Sequence, residues 1–287
     1  DDAFFIDNGK SIIVNLEELS IFSQEKIISN VALGVRSVHV ADFNKDGNND
    51  VLISTGYLEE LGEGSKILLY ENNLPIFTQK VIDSGFSSGD TYRLIDSDRS
   101  IDIADFNNDG CIDIITGWWN ITRTFFPDRL YRTGKSDWLE NNITTSSFIK
   151  HNLSLSYLNI PVVATDIDND DDYDAVVYEL PDLFTGVFEL NYFKNRDGLG
   201  NFEQGQNIIS NGGRMSSIFP LDIDNDGDQD IVTGSNDRIS WFENSGTTPL
   251  SFTEHTIPYT SGANSIYVTD IDNDGDQDIV TGSNDRI

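Results

Sequence analysis

Residues 221–239 read LDIDNDGDQDIVTGSNDRI, and residues 269–287 read TDIDNDGDQDIVTGSNDRI. An acid-rich run with a single Gly leads to a final Asp and then a β-branched stretch. That is the pattern of strand, tight loop, strand. Working outward from this pair, the same phrase recurs as VHVADFNKDGNNDVLIST from Val38, IDIADFNNDGCIDIITG from Ile101 and VVATDIDNDDDYDAVVY from Val162. The leading aspartates are Asp42, Asp105, Asp166, Asp222 and Asp270, spaced 63, 61, 56 and 48 residues apart. A unit of this size marks a solenoid, a propeller or an array. From Asp222 and Asp270 onward the last two copies share 18 identical residues, a duplication with little later drift.

Further strand patterns follow each loop. Ile67–Glu71 and Phe77–Ile82 come after the first, and Ile239–Glu243 and Phe252–Ile257 after the fourth. Four short strands per unit make one propeller blade, whereas a helical solenoid needs Ala- and Leu-rich periodicity. The chain has only seven alanines. One stretch, Leu16–Ile28, reads as a short helix. The expected fold is therefore all-β, a single β-propeller over 1–287 with blades at 37–82, 101–151, 162–209 and 217–257 and a half blade at 265–287. Residues 1–8 align with 237–244, so the strands within 1–28 are expected to complete the last blade and cover its edges. Asn284–Ile287 overlaps the place of Asp1–Ala3, and the alternative is a window of a larger ring.

The loops carry the chemistry. Counting from the leading aspartate, oxygen side chains stand at positions one, three, five and nine, with Gly at six. These are Asp42, Asn44, Asp46 and Asp50; Asp105, Asn107, Asp109 and Asp113; Asp166, Asp168, Asp170 and Asp174; Asp222, Asp224, Asp226 and Asp230; and Asp270, Asp272, Asp274 and Asp278. Hard oxygen ligands on a tight loop suit calcium, which takes six to eight of them. Gly at position six supplies the positive φ that folds the ligands around one point. A backbone carbonyl at position seven is expected to complete the set, from Asn48, Cys111, Asp172, Asp228 and Asp276. An EF-hand needs Glu at position twelve and flanking helices, yet position twelve here is Ile53, Thr116, Val177, Thr233 or Thr281. The loops gather 22 of the 49 acidic residues, a density that repels itself without cations. Solvated turns are the plain alternative for any one loop. Five loops with the same positions favour calcium, up to five ions.

These DxDxDGxxD loops between an apolar strand and a DIVTG-like strand resemble FG-GAP/VCBS repeats, the calcium-loop blades of integrin α-subunits and of many extracellular proteins. The resemblance covers most of the chain. It implies extracellular or cell-surface placement, structural calcium, and binding to proteins or glycans. The third loop departs from it, with Asp171 where Gly is expected, so distorted or weaker coordination is expected there.

Composition sets the outer bounds. A formal net charge of −31 repels phosphate backbones and anionic lipid, which argues against nucleic-acid partners. The apolar share of 38% is enough for a core, which argues against a disordered acidic tail. A single cysteine, Cys111, cannot form an intrachain disulfide. No apolar run reaches membrane-spanning length. Asn120, Asn142 and Asn152 head N-glycosylation acceptor triplets. Trp118, Trp119, Phe125 and Phe126 crowd what reads as a connection, packing between blades or presenting a ligand platform. The scattered His39, His151 and His255 read as structural, and no catalytic set is found. The expected function is an extracellular, calcium-stabilised propeller for adhesion, recognition or assembly with protein partners. A glycan-binding lectin is the alternative, and part of a polysaccharide-degrading enzyme comes third. Ligands are expected on the rim opposite the calcium loops, where the variable segments Gly56–Lys66, Asp83–Ser100, Gly117–Asp128 and Glu179–Val187 lie, with Tyr57 and Tyr92 among them.

Overall fold

The computed structural model describes residues 4–7, 11–14, 26–29, 34–56, 64–73, 76–84, 92–125, 128–156, 159–180, 186–210, 215–235, 238–257, 263–272 and 274–282. Among these residues the structure is all-β, and no helix is long and apolar enough to cross a membrane. The chain enters on β1 (Phe4–Asp7), β2 (Ser11–Val14) and β3 (Lys26–Ser29), a three-stranded sheet in that order. Four antiparallel four-stranded sheets follow, each with its strands in sequence order. They are β4 (Val35–Ala41), β5 (Asp50–Thr55), β6 (Lys66–Asn73) and β7 (Ile76–Ser84); then β8 (Tyr92–Ala104), β9 (Asp113–Phe125), β10 (Asp128–Asn142) and β11 (Ser147–Ser156). The third sheet holds β12 (Asn159–Thr165), β13 (Asp174–Glu179), β14 (Glu189–Phe193) and β15 (Gln206–Ser210). The fourth holds β16 (Met215–Leu221), β17 (Asp230–Ser235), β18 (Ile239–Asn244) and β19 (Phe252–Ile257), and β20 (Ser265–Thr269) with β21 (Asp278–Gly282) makes a two-stranded fifth.

First strands of successive sheets touch one another, β4 with β8, β8 with β12, β12 with β16 and β16 with β20. That places the sheets side by side as blades around a hub. β5, β13 and β17 each lie between two other strands and between two blades, and they are buried along their whole length. Alternation then sends neighbouring residues to opposite blades. Val176 and Tyr178 pack with Ile218, Ile231 and Phe242 of the fourth blade, while Ala175 and Val177 pack with Ala104, Ile115 and Trp138 of the second. Leu52, Ile67 and Leu69 meet Ile101, Ile114 and Leu139 in the same manner. The core is thus a series of interblade layers, each fully buried side chain contributing about 1.5–3 kcal/mol. Fourth strands form the outer edge and alternate between exposed and partly covered residues.

Two expectations are corrected. Lys26–Ile28 lies in β3, not in a helix, and the preceding residues 15–25 fall outside those described. Gly117–Phe125 and Tyr92–Ser100 lie in strands, not in loops. β8, β9 and β10 run for 13, 13 and 15 residues and carry the second blade beyond its neighbours as a three-stranded ribbon. Gly117 sits mid-strand between Ser100 and Ser136, and the β-branched and aromatic residues around it carry the pairing through. Pairing of β1 with β21 is not among the described strand pairs, and 1–3 and 283–287 lie outside the described residues.

Candidate metal centre and the opposite rim

All five acidic loops are closed by the same register pair, the residue before position one facing the aspartate at position nine. The pairs are Ala41 with Asp50, Ala104 with Asp113, Thr165 with Asp174, Leu221 with Asp230 and Thr269 with Asp278. Within this frame the backbone turns through two left-handed residues. Position six has φ of 88° at Gly47, 78° at Gly110, 100° at Gly227 and 98° at Gly275, and Asp171 adopts 70° in the third loop. Position four is also left-handed, at Lys45, Asn108, Asn169 and Asn225. Asn tolerates that region better than most residues, which accounts for its recurrence there.

The turn aims backbone N–H groups at the first carboxylate. In the fourth loop Asp226 N donates to Asp222 Oδ1 at 3.0 Å and Gly227 N to Asp222 Oδ2 at 2.9 Å. The first, second and fifth loops repeat both bonds at Asp42, Asp105 and Asp270. Asp46, Asp109, Asp226 and Asp274, at position five, each accept from the backbone N–H of position seven. Carboxylate oxygens of positions one, three and nine converge within 4.8 Å in three loops, as Asp166, Asp168 and Asp174; Asp222, Asp224 and Asp230; and Asp270, Asp272 and Asp278. The first two loops place amide oxygens, Asn44 and Asn107, at position three. This is a hard-oxygen donor set of the kind calcium takes. The charge is uncomfortable without a cation: burial and then Asp226 push Asp224 upward, and burial followed by the Asp170 and Asp168 charges does the same at Asp166.

Position nine has a second task. Its Oδ2 accepts from the backbone N–H of position two, as at Phe43, Phe106, Ile167, Ile223 and Ile271. In the four complete blades its Oδ1 accepts from the backbone N–H of an asparagine ending the third-strand segment: Asn72, Asn141, Asn195 and Asn244. Burial pushes Asp113 up to about 6 and Asp174 up to about 8 despite those bonds. The asparagine side chains close the arrangement. Nδ2 of Asn141, Asn195 and Asn244 donates both to the position-eight carbonyl of its own loop and to the position-two carbonyl of the preceding blade's loop. Sequence reasoning overlooked these residues, although their signal is present: YEN, LEN, FKN and FEN end the segment in all four blades.

Adjacent loops are also linked directly. Lys45 Nζ reaches Asp109 O, Asn108 Nδ2 reaches Asp172 Oδ1, and Asn169 Nδ2 reaches Asp228 Oδ1. The side chain at position seven is therefore less indifferent than its backbone role suggests: Asp172 and Asp228 receive a neighbouring loop, and Cys111 is buried. Gly246 makes room for this, since a Cβ there would collide with the Asp228 carboxylate.

The third loop differs in one more respect. Lys194 precedes Asn195, and its ammonium pairs with Asp168 Oδ2 and, at 2.8 Å, with Asp170 Oδ2. The other oxygen of Asp168 is buried without a hydrogen-bond partner.

On the opposite rim the expected ligand platform is rearranged. Trp118 and Trp119 are strand residues of β9, not loop residues. Trp119 is only 9% exposed, and Trp118 Nε1 donates to Asp137 Oδ2 at 3.3 Å. Phe125 ends β9, while Phe126 and Tyr57 lie outside the described residues. Tyr131 and Arg132 of β10 are exposed on the ribbon instead. Asn120 is fully buried in β9, leaving no room for a glycan, whereas Asn142 is partly exposed and Asn152 exposed. The histidines pack: His151 stacks on Trp138 and bonds Glu140, His255 stacks on Trp241 and bonds Glu243, and His39 Nε2 lies 3.0 Å from Ile101 O.

Residues 222–281 match the FG-GAP-like repeat family. No curated protein matches the chain. Among solved structures, 16 chains match. One belongs to a structure of an Agrocybe aegerita lectin that recognises non-reducing terminal N-acetylglucosamine. It aligns with a TM-score of 0.55 and 16% identity over 94% of this chain and 68% of its own, a likeness of fold.

Proposed function

We propose that this FG-GAP-repeat propeller is an extracellular recognition module whose calcium-loaded loops brace one rim while the other binds a protein partner. The observation that carries the reading is the convergence of positions one, three and nine within 4.8 Å in the fourth and fifth loops, whose register the first and second share. In the fourth loop Asp222, Asp224, Asp226 and Asp230 with the carbonyl of Asp228 would hold the ion, and the equivalent residues would do so in the first, second and fifth. The bound ion would supply positive charge to a cluster of carboxylates that the fold already holds together. Its role is structural, because the same aspartates are tied into the blade by backbone hydrogen bonds.

Recognition belongs to the opposite rim. There the β8–β10 ribbon projects and Tyr131 and Arg132 are exposed, on a chain whose net charge is otherwise strongly negative. A glycan ligand is the second reading, favoured by the lectin whose fold this chain shares. A glycan array including terminal N-acetylglucosamine, run with and without calcium, separates the two. Selective glycan capture would replace the protein-partner reading, and an unchanged thermal melt in excess chelator would remove the calcium.

A further inference from the structure

In the first, second and fourth blades the residue before the stapling asparagine is a glutamate, Glu71, Glu140 or Glu243. Each turns to the outer strand and meets a basic side chain there: Lys80, His151 and His255 respectively. The third blade reverses the charge. Lys194 occupies the same place and turns to the acidic loop, where its ammonium pairs with positions three and five. These are two of the groups that would ligate an ion there. This is also the loop with the most acid, six carboxylates between Asp166 and Asp174.

We propose that Lys194 is the resident cation of the third loop and that this loop takes no calcium. The inference rests on the calcium reading of the other loops. A primary ammonium offers three donors and a single charge that needs no external ion. With Asp168 mostly buried, an uncompensated carboxylate there would be costly, and a tethered cation removes that cost at any calcium concentration. Calcium would have to displace the lysine and then tolerate its charge nearby. The third blade, between the second and fourth, would stay closed when calcium is scarce.

The test is calcium stoichiometry, by titration calorimetry and by metal analysis of the purified protein. Asp224→Ala, which removes the position-three oxygen altogether, should bind one ion fewer than the natural chain, whereas Asp168→Ala should lose none. Lys194→Glu, which restores the residue of the other blades, should gain one. An ion lost from Asp168→Ala as from Asp224→Ala would overturn the proposal while leaving the calcium reading intact, and this arm stands even where Lys194→Glu does not fold. No gain in a folded Lys194→Glu would remove the role given to Lys194. Absence of calcium from the natural chain would remove the underlying reading as well.

Discussion

Asn244 donates one backbone and two side-chain hydrogen bonds from a single buried position, tying Asp230, Gln229 and the preceding blade's Ile167 together. Replacing it with Ala would leave two carbonyls without that donor, at least one of them buried, a loss of about 1–3 kcal/mol. Among the described residues the Asn72 side chain donates to its own loop alone, through an exposed amide, so Asn72→Ala should cost less. Urea denaturation of the two variants checks the order; equal losses would remove the interblade role. The carboxylates bear on pH. Asp113 and Asp174 are raised by burial to about 6 and about 8, above their unfolded value near ~3.9. Between those values the folded chain keeps protons that the unfolded chain has released, so stability falls as pH rises. Chelated protein should therefore melt at a higher temperature at pH 5 than at pH 8. Calcium, which binds the deprotonated carboxylates, should reduce or reverse that difference. A chelated melt that rises with pH would show that these groups are not protonated in the folded state.

Strands supply the next scale. The second strands β5, β13 and β17 are buried on both faces, so their side chains are constrained by two neighbouring blades at once. The long β9 continues this burial into the ribbon through Trp119 and Asn120. Trp119→Ala should consequently destabilise the fold by about 3–5 kcal/mol, as large aromatic truncations in cores do. It is a packing residue and a poor probe of ligand binding. Tyr131→Ala with Arg132→Ala is the better probe: both side chains are exposed, so the melt should hold while partner or glycan binding weakens severalfold. Normal binding by that double variant, measured by surface plasmon resonance, would move the binding site off the ribbon.

At the scale of the whole molecule, the blades are joined by apolar layers at their middles and by acidic loops at one rim. Each calcium site at tenfold excess over its dissociation constant adds about 1.4 kcal/mol. Several sites acting on adjoining blades should therefore lower the melting temperature markedly on chelation. Calcium should restore it better than magnesium, whose smaller shell demands stricter octahedral geometry. Calorimetric melts in excess chelator, calcium and magnesium give the comparison, and identical curves would contradict a structural role for the ion.

The repeated loops, the strand that follows each and the four-stranded sheets were legible in the chain because they depend on local rules: alternation, left-handed turn residues and oxygen spacing. Position nine was legible as an aspartate but not as the buried acceptor of two strands, since its partners lie 7 to 28 residues away. The stapling asparagines join residues up to 98 apart. Their YEN- and FEN-like endings were visible, but their partner carbonyls carry no side-chain signature. Trp118 and Trp119 read as a connection because their cross-strand partners in β8 and β10 lie 15 or more residues away and leave no local signal. Lys194 is the sharpest case. By sequence it is one cation at the end of a strand. Only the tertiary structure decides that its ammonium lies among the carboxylates of the third loop, because strand direction and blade packing determine which way that side chain turns.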